Sequence, residues 1–163
     1  MRSCRRGARL IWNVSRTERN DCVSRSSGAR LNTDKNKDLI RRWIAFANEG
    51  FGGSFDQFIA PDYVGHLGAT EMDRSELERL ERQFSLAFPD AHYTVDDMIA
   101  EGDRVVLRTT ARATHRGEFE RIAPTDRAVE FTGLIVYRIL GERIIESWGE
   151  IDFLRLIREL RTA

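Results

Sequence analysis

The spacing of apolar residues along the chain changes from helical to alternating near residue 90. Before this point they recur every three or four positions, which predicts helices that bury one face. After it, apolar and polar residues alternate in short runs, which predicts strands. The two helical stripes are Leu39, Ile40, Trp43, Ile44 and Ala47, and then Leu77, Leu80, Phe84 and Ala87 or Phe88.

Capping and breaking residues set the expected limits of the helices. Asp73 and Glu76 have the spacing of a capping box, so they mark a helix start. The predicted helices are a first from Asn32 or Thr33 to the glycines at 50–53, a short second over residues 55–60 between Ser54 and Pro61, and a third from Thr70 or Asp73 to residue 88.

The second half of the chain predicts a sheet. Helices followed by a meander of strands are typical of an α+β domain, with the helices packed on one face of a curved antiparallel sheet. Between Gly133 and Tyr137 one strand is apolar on both faces, so we expect both sides of the sheet to be covered there. The predicted elements are a brief extended piece at 62–67, strands at 91–100, 104–114, 128–139 and 143–151, and a last helix that opens at Asp152.

The last strand combines an aromatic side chain with several carboxylates. Strict alternation places one set of its side chains on each face. The set of small or aliphatic side chains suits a packed face, and the other set predicts the wall of a pocket. The pocket set is Ile144, Glu146, Trp148, Glu150 and Asp152, and the packed set is Ile145, Ser147, Gly149 and Ile151.

Length and charge narrow the class of protein. A chain of 163 residues predicts one domain with a proper core. Residues 1–33 have a net charge of +6, from 8 Arg and 2 acidic residues, and residues 34–163 have −6, from 18 basic and 24 acidic residues. The acidic body argues against a nucleic-acid partner. No apolar run approaches the roughly 18 residues of a membrane span, so we expect a cytoplasmic protein that does not bind membranes.

The basic first segment predicts a disordered leader, residues 1–33, ahead of a domain at 34–163. An organelle transit peptide is the alternative. Both cysteines, Cys4 and Cys22, lie in this segment. The three histidines, His66, His92 and His115, are scattered through the body, so we predict no metal site.

Five short motifs give the chain a family resemblance. Together they are similar to the SnoaL-like polyketide cyclase (ester cyclase) family over roughly residues 34–160. The chain departs from the usual pattern at Ala113, at Ala123 and Asp126, and after the last helix, which bears on substrate identity more than on fold. The motifs are Phe88-Pro89-Asp90, Glu101-Gly102-Asp103-Arg104-Val105, Ala113-Thr114-His115-Arg116-Gly117, Ala123-Pro124-Thr125, and Glu146-Ser147-Trp148 with Asp152.

This resemblance implies a fold and a chemistry. The fold is the cone-shaped α+β barrel of the nuclear transport factor two-like superfamily, with three N-terminal helices packed on the concave face of the sheet and a short C-terminal helix. It implies a pocket inside the cone and a homodimer formed through the sheet. Characterised members close a ring by intramolecular aldol condensation of a polyketide ester without metal or cofactor, and their acid/base is an aspartate that matches Asp152.

Two residues are the candidate catalytic groups. Asp152, beside Trp148 in a dry cone, could remove a proton next to a carbonyl, or it could simply cap the last helix. His115 lies on the inward phase of its strand, so it could assist as a proton donor or be a hydrogen-bonded structural histidine. The candidate substrate-binding residues are His66, Trp148, Glu146, Tyr63, Trp43, Phe131 and Met98, and Glu146 could alternatively pair with Arg138.

We therefore expect a cofactor-independent enzyme acting on a small apolar carbonyl compound, by aldol cyclisation, isomerisation or dehydration. The alternative is a non-catalytic module that binds a ligand or dimerises on the same fold. An epoxide hydrolase would require an Asp-Arg-Asp arrangement in the pocket.

Overall fold

The computed structural model describes the backbone of residues 16–161 and the side chains of residues 32–161. Three α-helices and six strands make up this part of the chain, together with one 3-10 turn. In chain order the elements are α1 (Arg16–Asn48), the 3-10 turn (Phe55–Gln57), β1 (Ile59–Leu67), β2 (Thr70–Asp73), α2 (Arg74–Ala87), β3 (His92–Glu101), β4 (Arg104–Thr114), β5 (Ala128–Leu140), β6 (Arg143–Ile151) and α3 (Phe153–Arg161).

Helix α1 begins well before the predicted caps. Asn32 and Thr33 lie inside it, so neither starts it. The predicted leader falls partly on α1 and partly on residues 1–15, which lie outside the described residues. The division of the chain into residues 1–33 and 34–163 stays a prediction. At its other end, α1 stops where Gly50 adopts a φ of 72°, as the glycines predicted.

The short second helix is only a 3-10 turn, and Pro61 does not end it. Ser54 caps this turn by accepting a hydrogen bond from the Asp56 N–H at 3.2 Å. The chain then enters β1, which contains Pro61. The pairing of β1 with β6 is interrupted between Ile59 and Val64, so the missing N–H of the proline falls where the ladder is already irregular.

The sheet is mixed, and this corrects the antiparallel prediction. Its strands lie in the order β2-β1-β6-β5-β4-β3. Strand β1 runs parallel to β6, and every other neighbouring pair is antiparallel. The sheet is curved and unclosed, with β2 and β3 at its edges. The last strand of the chain therefore lies in the middle of the sheet.

The structure has fewer helices before the main strands than the sequence predicted. Two α-helices and a 3-10 turn precede the main strands, where three helices were expected. Helix α1 packs against β3 and β4, α2 against β1 and β2, and α3 against β5. The capping box of α2 is confirmed, because Asp73 accepts from the Glu76 N–H and the Glu76 carboxylate accepts from the Asp73 N–H, both at 2.9 Å.

Apolar side chains form two clusters between the helices and the sheet. The first is aromatic and centres on α1, where the Trp43 ring lies 5.3–5.9 Å from the rings of four phenylalanines. The second joins the end of α2 to β4, β5 and α3 through Phe84, Phe88, Phe131 and Leu156. Cover on both faces of β5 is not found within the described chain, because Leu134 is 49% exposed on the opposite face.

Candidate active site

A largely apolar cavity of about 600 Å³ lies between the helices and the inner face of the sheet. Its wall includes Trp43, Phe84, Phe131, Ile135 and Tyr137, together with the inward side chains of β6. This volume matches the clefts that hold small organic ligands in other proteins.

The inward side chains of β6 are not those predicted, because the strand contains a bulge. Ile139 pairs with Ile144 and Arg138 with Glu146, which leaves Ile145 as an extra residue. Ile144 faces the cavity as expected, but the extra residue reverses the alternation after it. Ser147, Gly149 and Ile151 therefore line the cavity, whereas Trp148, Glu146 and Glu150 do not.

Asp152 lies outside the cavity. Its side chain is exposed, and its carboxylate accepts a hydrogen bond from the Arg155 N–H at 3.1 Å, in the first turn of α3. The helix-capping interpretation is thus confirmed. The expected shared hollow with Trp148 does not form, because the bulge turns both residues away from the cavity. Its placement does not support the predicted catalytic role.

His115 is fully buried but does not border the cavity. Its Nδ1 lies 3.1 Å from Thr125 Oγ1, and its ring packs against Phe88 at 5.3 Å. Within the described residues its Nε2 has no hydrogen-bond partner, and burial lowers the pKa of the imidazole. Its main-chain groups bond to Arg127 and Asp126, so His115 holds the ends of the 115–127 loop together. This agrees with the structural alternative.

The predicted substrate-binding residues divide into two groups. His66 borders the cavity but directs its ring to Trp148 on the outer face of the sheet, whereas Tyr63, Trp43 and Phe131 line the cavity. Trp148, Glu146 and Met98 do not: Met98 packs against the core, and the other two lie on the outer face of the sheet because of the bulge.

Trp148 and Glu146 take part in a polar cluster on that outer face. The His66 ring stacks on Trp148 with centroids 5.5 Å apart, and the Arg104 guanidinium lies 5.7 Å from the Trp148 ring. Glu146 lies 3.2 Å from His66 Nε2 and 3.5 Å from Arg138. Pairing of Glu146 with Arg138 is therefore confirmed, and these contacts explain why an aromatic residue and a carboxylate share the solvent side of the sheet.

Glu81 is the functional candidate that the sequence did not reveal. It lies on α2 in phase with Leu77 and Phe84, and all three line the cavity. No hydrogen bond or ion pair to its carboxylate is found among the described residues. Burial without a partner raises the pKa of Glu81 from its ordinary value of 4.5 to about 7. A carboxylate on the apolar stripe of α2 was the signal that could have identified it.

All three tyrosines of the chain line the same cavity. Burial raises the pKa of Tyr63 to about 12 and the pKa of Tyr93 and Tyr137 also rises, with the charge of Glu81 adding to each effect. The phenols therefore keep their protons at neutral pH and can act as hydrogen-bond donors beside Glu81.

The other ionisable side chains of the cavity wall bear on two alternatives, an epoxide hydrolase and a metal site. Besides Glu81 and the tyrosines, the wall includes Glu120 and Arg161, and none of its described residues is an aspartate. The Asp-Arg-Asp arrangement of an epoxide hydrolase is therefore not found there. Within residues 32–161, no group of three or more histidine, cysteine or acidic side chains is placed to hold a metal ion. No helix in the described part combines the length and apolarity that a membrane crossing requires.

Comparison with known proteins identifies the family. The family model for SnoaL-like polyketide cyclases matches residues 37–160, which is most of the chain. The chain belongs to the SnoaL-like polyketide cyclase family. A search of curated proteins found no match.

Three solved structures illustrate the similarity. IdmH from Streptomyces antibioticus, a proposed polyketide cyclase, is 31% identical with a TM-score of 0.70, covering 78% of this chain and 99% of its own. AclR from Streptomyces galilaeus, a proposed hydroxylase, is 29% identical with a TM-score of 0.74, covering 78% and 82%. TsrD from Streptomyces laurentii is 25% identical with a TM-score of 0.71, covering 80% and 97%. This SnoaL-like fold thus occurs in proteins with different named activities.

Replacing Asp152 tests whether it is more than a cap. We expect Asp152→Ala to lower the free energy of unfolding by about 1 kcal/mol, because α3 loses its cap, while Asp152→Asn keeps most of this stability. Thermal unfolding measures both. Neither variant should change the affinity for an apolar fluorescent ligand of the cavity, and a large loss of affinity in Asp152→Asn would contradict the placement outside it.

The raised pKa of Glu81 predicts an unusual dependence of stability on pH. Because its pKa is about 7 in the folded chain and 4.5 ordinarily, the unfolded chain releases this proton first as the pH rises. The free energy of unfolding should therefore fall between pH 4.5 and 7, by at most about 3.5 kcal/mol and by less if water in the cavity solvates the carboxylate.

Denaturant unfolding of Glu81→Gln across this range measures the effect. The variant should lack the decrease and be more stable than the wild type at pH 8. Glu49→Gln, at an exposed position, is the control for removal of one negative charge. Parallel pH curves for the wild type and Glu81→Gln would show that Glu81 is not desolvated.

Proposed function

We propose that this protein catalyses cofactor-independent proton transfer on a small apolar carbonyl compound, with Glu81 as the general base. The observation that carries this proposal is the Glu81 carboxylate, which lines a largely apolar cavity and has no hydrogen-bond or ion-pair partner among the described residues. A pKa near 7 suits a base that must accept and return a proton at neutral pH. Family membership supports polyketide-type substrates.

The reaction requires no redox step. The Glu81 carboxylate takes a proton from the carbon next to a carbonyl, and the electron pair of the broken C–H bond moves through the new C=C bond to the carbonyl oxygen. In an aldol cyclisation the resulting enolate carbon attacks a second carbonyl of the same molecule. The new alkoxide then receives the proton from the Glu81 carboxyl group. Isomerisation and dehydration start from the same enolate.

A non-catalytic ligand-binding module is the alternative. The apolar wall would serve binding as well as catalysis, because aromatic side chains such as Trp43 and Phe131 favour any flat apolar ligand. The Glu81 carboxylate favours catalysis, since it is partly buried in the cavity with no partner among the described residues, where its charge destabilises the fold at neutral pH and contributes nothing to the binding of an apolar group.

Hydrogen–deuterium exchange tests the base without knowledge of the substrate. We expect the wild type to accelerate exchange at the acidic carbon of 2-tetralone in deuterated buffer, followed by proton NMR. Glu81→Gln should lower this rate by roughly 100-fold or more, since the amide cannot accept the proton.

Asp152→Asn is the matched control, and it should exchange as fast as the wild type. If the wild type binds 2-tetralone without accelerating exchange, the ligand-binding alternative is correct. Loss of exchange in Asp152→Asn with activity retained in Glu81→Gln would instead return the base to Asp152.

We further propose that the protein is a homodimer formed through the outer face of the sheet. One row of apolar side chains crosses four paired strands there, through Ile99, Val106, Val136 and Trp148. Ile99 is 61% exposed and the nearby Leu134 is 49% exposed. A second copy would cover this row and supply the cover that the apolar sequence of β5 predicts.

Native mass spectrometry and light scattering test the dimer. We expect a dimer for the wild type and a monomer for Leu134→Arg, because the charge would be buried at the contact. Leu86→Arg is the matched control, since Leu86 is 78% exposed on α2, away from this face. A monomeric wild type, or equal dissociation by both substitutions, would refute the proposed contact.

A further inference from the structure

A short hydrogen bond between two hydroxyl groups lies in the cavity wall. Tyr63 on β1 and Ser147 on β6 both line the cavity, and their hydroxyl oxygens are 2.6 Å apart. This is at the short end of the range for a hydrogen bond between hydroxyl groups. The two side chains come from the parallel pair of strands, where Gly65 pairs with Ser147.

Gly65 makes this contact possible. A Cβ atom at this position would lie 2.6 Å from Tyr63 Oη and 2.9 Å from Met72 Cγ, both closer than atoms can approach. Only a residue without a side chain lets the phenol lie across β1 and reach Ser147. Local sequence on β1 therefore positions the Tyr63 hydroxyl.

The Tyr63–Ser147 pair has two hydroxyl protons, and the hydrogen bond between the two groups requires only one of them. The other is free to be donated to a ligand, whichever group donates within the pair. By comparison, Thr109 is already committed, since its hydroxyl donates to the Thr94 carbonyl oxygen at 2.8 Å.

We propose that the Tyr63–Ser147 pair donates this hydrogen bond to the carbonyl oxygen of the substrate and stabilises the enolate formed there. This inference rests on the proposed function, because it requires Glu81 to remove the neighbouring proton. The pair donates a hydrogen bond and keeps both protons, and the negative charge stays on the enolate oxygen until the next step. It selects ligands with a carbonyl oxygen beside an acidic C–H bond.

Either hydroxyl can replace the other, so single and double substitutions differ in a characteristic way. Tyr63→Phe and Ser147→Ala should each lower the exchange rate of 2-tetralone by about tenfold, because one donor remains. The double variant should lose roughly 100- to 1,000-fold, as when an oxyanion donor is removed. Infrared difference spectra of the ligand labelled with ¹³C at its carbonyl provide a second measurement, since the donor lowers the C=O stretching frequency.

Three further measurements test whether the Tyr63 and Ser147 hydroxyls bond to the ligand or only stabilise the fold. The double variant should move the C=O band towards its frequency in an alkane, while its pH–rate profile keeps the inflection near pH 7 that belongs to Glu81. Gly65→Ala keeps both hydroxyls but displaces the phenol, so it should shift the band part of the way even if the double variant fails to fold. Tyr137→Phe removes another possible donor of the cavity, so it tests whether this phenol, and not the Tyr63–Ser147 pair, contacts the carbonyl oxygen.

The outcomes distinguish this proposal from the proposed function. If the wild type does not accelerate exchange, or Glu81→Gln exchanges normally, the proposed function fails and this inference fails with it. If Glu81→Gln is inactive but the double variant keeps the wild-type rate and C=O band, only the hydroxyl pair is refuted. Where the double variant does not fold, the same result in Gly65→Ala refutes the pair. A band shift in Tyr137→Phe with none in the Tyr63 and Ser147 variants would also refute it.

Discussion

The single extra residue in β6 determines what the cavity contains. Strand β6 is hydrogen-bonded on both sides, to β1 and to β5, so its side chains have only two directions. Ile145 interrupts the ladder and reverses the phase of every residue after it. Small side chains then face inward, which leaves room for a ligand and brings Ser147 to Tyr63. Without the bulge, the bulky indole of Trp148 would occupy this space.

The low polarity of the cavity and the chemistry of Glu81 depend on each other. An apolar wall makes the charged form of Glu81 unfavourable, and this same desolvation makes its carboxylate a better base than one in water. Under the proposed function, the stability lost at neutral pH and the reactivity of Glu81 have the same cause. The outer face of the sheet shows the opposite arrangement, since Glu146 there contacts both His66 and Arg138.

Features that depend on local sequence were predictable. The capping box at Asp73 and Glu76, the limits of β4 and the helix cap at Asp152 each involve residues close together in the chain. The family resemblance also came from short motifs, and it gave the α+β class correctly. In each of these cases, a few residues close together in the sequence are sufficient to predict the feature.

Features that depend on distant pairing were not predictable in the same way. The parallel contact of β1 with β6 joins segments from opposite ends of the domain, and alternation alone does not reveal the bulge at Ile145. An uninterrupted β6 would point Asp152 inward, and the bulge turns it away. His115 keeps the inward phase of β4, but it lies beyond the end of the strand and packs against Phe88 and not against the cavity. Glu81 was overlooked because acidic residues on a helix usually face water, although its spacing from Leu77 and Phe84 placed it on the buried stripe.

The position of β6 also has a consequence for how the chain folds. Tyr63 and Ser147 are 84 residues apart in sequence, yet they lie on neighbouring strands in the middle of the sheet. During synthesis β1 must wait until residues 143–151 have been made before its central neighbour β6 is available. Contacts of such long range close slowly, so the nascent chain passes through a stage in which the edge of β1 is unpaired and open to association with other chains.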